Sequence, residues 1–152
     1  MYAAAVSGGR VVVWNIAEKR PAFHFKAKAF ITSVEFSPDG SLLATGELQS
    51  NRVALHRVPS GELVDILLGH VQGVGGASFS PDGKTLATGS HDRKVKLWNL
   101  ATGQEVATLE VESGVAAVRF SPDGRTLGAS YYSDRGIFTR VWRAPSFEDV
   151  ER

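Results

Sequence analysis

Cysteine is absent from the 152 residues, which excludes disulfides, thiolate chemistry and any Cys-ligated zinc, and leaves the redox compartment undefined. No segment approaches the roughly eighteen consecutive apolar residues of a membrane span. The opening stretch MYAAAVSGGRVVVWNI lacks the basic leader and long apolar run of a secretory signal. Asn15, Asn51 and Asn99 all stand outside glycosylation sequons. An excess of one charge is missing too: 17 Lys and Arg against 16 Asp and Glu give a formal net charge of +1, with no global reason to expect nucleic acid or a membrane as partner. A cytoplasmic location is the expectation. No Gly-rich phosphate loop before a helix, no Gly-x-Ser-x-Gly elbow and no His-Glu-x-x-His pair occurs, and no helix-period segment, linker or low-complexity tract interrupts the chain.

What is present is a repeat. Phe-Ser-Pro-Asp-Gly occurs at 36–40, 79–83 and 120–124, with successive copies 43 and 41 residues apart. A second marker keeps the same period: Trp14, His56, Trp98 and Trp142 close the alternating runs VVVWNI, RVALHRV, KVKLWNL and TRVWRA at spacings of 42, 42 and 44. Alternation at period two, with Val, Leu and Trp enriched, argues for strands that have one packed and one wetter face. The pattern predicts strands near 2–6, 10–16, 21–27, 31–36, 41–47, 52–58, 62–68, 73–79, 84–90, 94–100, 104–110, 115–120, 125–132 and 137–143. Ser-Pro-Asp-Gly suits the hairpins between them, because Pro presets φ, Asp bonds nearby backbone and Gly accepts positive φ; Pro-Ser-Gly at 59–61 and Ala-Thr-Gly at 101–103 serve alike. A repeat near forty-two residues holding four short strands marks an array whose units cannot bury their apolar faces alone.

These residues resemble the WD-repeat β-propeller family. Gly69-His70, FSPDG, LATGSHD and KVKLWN in the third copy stand at the family's spacing, with Asn99 for its usual Asp. The resemblance implies an all-β fold of about four four-stranded antiparallel blades in one domain, spanning approximately 1–28 (incomplete), 29–70, 71–111 and 112–152. The first copy begins inside its second strand, and only Pro145 to Arg152 remain for the outermost strand of the last. In the third copy the resemblance implies a buried hydrogen-bonded tetrad of His70, Thr88, Asp92 and Trp98. A nucleophilic triad is the competing reading of His, hydroxyl and Asp, but it needs an exposed hydroxyl beside an oxyanion site. Ala27 and Val111 stand where the second and fourth copies would carry His70, and His56 replaces Trp, read as a strand residue in a packed or polar niche. No metal site and no cofactor is assigned, since His24 and His91 have no ligand-spaced neighbour.

Function is expected to be that of a non-enzymatic protein–protein interaction scaffold. Uncovered blade faces would be costly in water. Three coverings are open: a homodimer of half-rings, which is preferred, a partner chain that supplies blades, or a longer product. Candidate partner-binding residues are Tyr131, Tyr132 and Arg135, in a segment two residues longer than its counterparts, together with Arg52, Arg93 and Lys94. Tyr131 suits a core strand equally well. The alternative function is a receptor for a small ligand or an anionic polymer, including nucleic acid, on the basic loop face. Glu47, Asp92, Glu112 and Asp134 are interleaved with those cations, so a mixed solvated surface is favoured over nucleic acid.

Overall fold

The computed structural model describes residues 1–7 and 9–144. Within them the chain forms fourteen strands and no helix: β1 (Tyr2–Ser7), β2 (Arg10–Asn15), β3 (Arg20–Lys26), β4 (Ile31–Phe36), β5 (Leu42–Glu47), β6 (Arg52–Arg57), β7 (Leu63–Leu68), β8 (Val74–Phe79), β9 (Thr85–Ser90), β10 (Lys94–Asn99), β11 (Gln104–Glu110), β12 (Val115–Phe120), β13 (Thr126–Ser133) and β14 (Gly136–Arg143). They make four antiparallel meanders, ordered β1-β2-β3, β4-β5-β6-β7, β8-β9-β10-β11 and β12-β13-β14. The two inner sheets have four strands each and the two terminal sheets three. The fourth strand expected for the last copy falls on residues that lie outside those described.

The Ser-Pro-Asp-Gly turns show why the motif recurs. Ser37, Ser80 and Ser121 each donate their hydroxyl to the Asp two residues on, at 2.6, 2.5 and 2.5 Å. Each of those hydroxyls also accepts the N–H of the residue that opens the next strand, Leu42, Thr85 or Thr126, at 2.9 Å. The Asp carboxylates bind the N–H of Ser41, Lys84 and Arg125 at 3.0 Å. Those three residues therefore belong to the turn, and β5, β9 and β13 begin one residue later than the alternation suggests. Gly40, Gly83 and Gly124 have φ of 72°, 69° and 71°, which a side chain would oppose.

Successive sheets pack face to face through three apolar clusters. Val11 and Val13 meet Leu43, Val34 and Phe36 between the first and second sheets. Ala44, Val53, Leu55 and Leu67 meet Val74, Phe79, Leu86 and Trp98 between the second and third. Ala87 and Val95 meet Val115, Val118, Leu127 and Tyr131 between the third and fourth. The inner strands β4, β8 and β12 come especially close. A Cβ on Gly75 would stand inside the contact distance of the Val115 carbonyl oxygen, and one on Gly76 would stand 2.9 Å from Ala117 Cα. The Thr32 hydroxyl donates to the Val74 carbonyl, and Ser78 Oγ accepts the Phe120 N–H at 3.2 Å, tying three sheets along their inner edge.

One element departs from expectation in shape. The two extra residues of the last hairpin lengthen its ladder instead of its loop: Tyr132 pairs Ile137 and Ser133 pairs Gly136, leaving only Asp134 and Arg135 at the tip.

Candidate functional site

A connected chain of buried polar side chains lies in the third sheet. His70 precedes β8, Thr88 lies on β9, Asp92 on the following turn and Trp98 on β10, directly across from Leu86. His70 Nδ1 is 2.9 Å from Asp92 Oδ2, His70 Nε2 is 2.9 Å from Thr88 Oγ1, and Trp98 Nε1 donates to the same hydroxyl at 2.8 Å. One proton order satisfies every partner: the indole N–H donates to Thr88, the Thr88 hydroxyl donates to Nε2, and Nδ1–H donates to the carboxylate. Burial holds the His70 imidazole below its ordinary pKa, against the opposing pull of Asp92. Burial works to raise Asp92, but the bonds from His70, the Val71 N–H and the Lys94 N–H outweigh it and leave its carboxyl below the usual value. Thr88 is fully buried and its hydroxyl is already committed on both sides, so it cannot reach a substrate. The arrangement is a fastener between strands.

The equivalent positions elsewhere hold no such chain. Thr45 matches Thr88, but its hydroxyl meets only the Ala54 carbonyl, at 3.4 Å. His56 is buried and stacks on Phe25 with ring centroids 4.2 Å apart, its Nδ1 3.4 Å from the Gly61 carbonyl oxygen. Ala129 and Val111 occupy the corresponding places of the fourth sheet and bring no polar side chain.

The candidate contact residues fall on three separate turns and in different states. Tyr131 is in the core between the third and fourth sheets, stacked on Phe138. Tyr132 and Arg135 stand exposed at the β13–β14 hairpin. Arg52 is bound by Glu47, its Nε 2.7 Å from Oε2, and that bond raises its pKa. Arg93 is exposed with φ 66°, and the Lys94 N–H is spent on Asp92. Tyr132 and Arg135 share the β13–β14 hairpin, whereas Arg52 opens β6 and Arg93 and Lys94 stand at the β9–β10 turn. On the inner edge, a cleft of ≈ 290 Å³ is lined by β4, β8 and β12, and Arg119 and Glu35 span it in an ion pair of 2.6 Å. That pair neutralises the two charges there.

Sequence reasoning missed Phe30 and Gln49. A cleft of ≈ 360 Å³ where the first sheet leads into the second is lined by Lys26, Ala27, Lys28, Ala29, Phe30 and Gln49. Phe30 is 60% exposed. Its signal was available: counted back from FSPDG, its place is taken by Gly73 and Gly114 in the next two copies.

With this geometry in view, residues 19–54 and 61–99 match the family model described as WD domain, G-beta repeat. The chain belongs to the WD-repeat family. No curated protein matches it. The two matched WD repeats cover β3 to β10 apart from 55–60, which hold the second half of β6 and the turn after it, so they include Thr88, Asp92 and Trp98 as well as the Phe30 cleft. WD repeats are in general protein-interaction modules, in keeping with a tetrad that fastens strands and loops that carry the variation.

Proposed function

We propose that this WD-repeat chain is a non-enzymatic protein–protein interaction scaffold, and that a second copy covers its terminal sheets, the last sheet of each chain packing on the first sheet of the other. The observation that carries the reading is Trp14. Trp98 occupies the same repeat position facing the preceding sheet and is 2% exposed, whereas Trp14 is 43% exposed, because among the described residues no sheet lies against that face. The opposite terminal face shows Ile137, 69% exposed, and Val141, 59% exposed at the place where the inner sheets pack Leu55 and Leu97 against a neighbour. Exposed apolar faces of this kind mark interaction surfaces. Packing them against each other repeats the contact already made within the chain.

Light scattering tests this. A solution mass of roughly twice the 16.3 kDa chain supports closure by a second copy. A mass that stays at 16.3 kDa at every concentration overturns self-association and points to a different protein as the covering. The rival reading, an anion receptor built on Arg52, Arg93 and Arg135, is disfavoured by the Glu47 carboxylate that occupies Arg52. It requires salt-sensitive binding of a polyanion that disappears when those three arginines are removed.

A further inference from the structure

We infer that the junction of the first and second sheets is a docking site for an acidic protein segment, its carboxylates held by Lys26 and Lys28 and its apolar side chain laid on Phe30. The inference rests on the scaffold reading and specifies the chemistry of the partner. Charge is the first ground. Residues 1–34 contain five Lys and Arg and a single acidic residue, Glu18, although the whole chain is nearly neutral. Glu18 is taken by Arg20. Among the described residues, no carboxylate comes within ion-pair distance of Arg10, Lys26 or Lys28.

Arg10 also pairs directly with Lys26 across β2 and β3, an arrangement of like charges that costs stability. The loop geometry does not require cations there. Counted back from FSPDG, the places of Lys26 and Lys28 in the fourth copy are held by Glu110 and Glu112.

The second ground is the exposed ring. At the next two junctions the preceding turn closes over the equivalent glycine: a Cβ on Gly73 would meet Leu48 at 2.5 Å, and one on Gly114 would meet His91 Cα at 3.2 Å. At the first junction the close approach comes from the turn instead. A Cβ on Gly9 would stand 3.0 Å from the Ala29 carbonyl oxygen, and Phe30 is left uncovered. Its backbone is fixed on both sides, the N–H donating to Gln49 Oε1 at 2.8 Å and the carbonyl accepting the Leu48 N–H at 2.9 Å. The ring is thus presented on a rigid base beside two unopposed ammonium groups, which lowers the ordering cost of binding. An aromatic surface flanked by cations suits a peptide that alternates carboxylates with an apolar residue.

The test is a fluorescence anisotropy titration of the full chain with a fluorescein-labelled peptide of Glu and Leu residues. Saturable binding is expected, weakening with added salt. The double variant Lys26→Glu/Lys28→Glu and the single variant Phe30→Ser should each lose about tenfold in affinity or more. Lys84→Glu/Arg125→Glu, which reverses exposed cations on the Ser-Pro-Asp-Gly turns, should bind as the native chain does. The site is overturned if the native chain does not bind the peptide, if both variants bind it unchanged, or if the same peptide with Gln for Glu binds equally well. A single-stranded oligonucleotide that binds more tightly than the peptide and depends on the same lysines overturns it in favour of nucleic acid. The solution mass decides self-association separately. Peptide binding that is indifferent to Lys26, Lys28 and Phe30 removes this site and leaves the scaffold standing.

Discussion

Thr88 is the residue on which the third sheet's polar network turns, because its one oxygen serves both the imidazole and the indole. Thr88→Val keeps the shape and removes the oxygen, stranding two buried polar groups, and should cost about 2–4 kcal/mol in urea denaturation. Trp98→Phe strands only the hydroxyl's acceptor side and should cost about 1–3 kcal/mol, part of it lost packing. The two together should cost less than their sum, since they break one network. The same burial makes stability depend on pH. His70 and His56 both lie below their ordinary value of 6.5 in the folded chain, with burial the leading cause in each. The unfolded chain therefore takes up protons first as pH falls through 6.5. The stability these imidazoles provide is intact above that pH and erodes below it, toward their folded values. Denaturation midpoints measured on either side of pH 6.5 should show the loss, and His56→Phe, which retains the stack on Phe25, should shrink it.

At the scale of elements, the strands and their turns were legible because each is written locally. Period-two alternation and Ser-Pro-Asp-Gly need only a few adjacent residues to act. What was not legible depends on partners far along the chain. Tyr131 and Tyr132 look alike in sequence, but register places Tyr131 against Phe138 in the core and Tyr132 on the outer face. Arg52 reads as a free cation until the β5–β6 hairpin brings Glu47 to it. Phe30 differs in sequence from its repeat counterparts Gly73 and Gly114, but that it stands uncovered depends on the turn at Gly9. The turns themselves carry an acid-sensitive element. Hydrogen bonds from Ser37 and Ser41 lower Asp39 from 3.8 to about 2, and Ser80 and Ser121 lower Asp82 and Asp123 in the same direction. A depressed folded value means that the contribution is present above about pH 4 and is lost as pH falls toward 2. Replacing all three by Asn should lower the melting temperature at neutral pH and leave little difference from the native chain at the acid limit. The inner edge sets a steric condition of a different kind. Gly75→Ala must push β8 away from the Val115 carbonyl, and should cost about 1–3 kcal/mol even though Ala suits a strand better than Gly.

For the whole molecule, the two terminal faces are different surfaces, and that difference makes the mode of assembly testable. If a second copy covers them, folding is coupled to association and the thermal midpoint rises with protein concentration. A midpoint that stays constant counts against it. The pairing must also be of last sheet to first sheet, because only that contact repeats the packing between successive sheets inside the chain. Trp14→Asp spoils the first face and Val141→Asp spoils the last. Each variant alone should reduce the mass to that of a single chain, since both contacts of a homodimer then contain the lesion. Mixing the two variants leaves one contact wholly native, formed by the last sheet of the Trp14 variant and the first sheet of the Val141 variant, while the other contact collects both lesions. Light scattering on the mixture should therefore recover dimer that neither variant forms alone. A pair built by matching like faces offers no such rescue, because every contact in the mixed dimer would still include a substituted face. Absence of recovery, with both variants folded, would rule out the last-to-first arrangement.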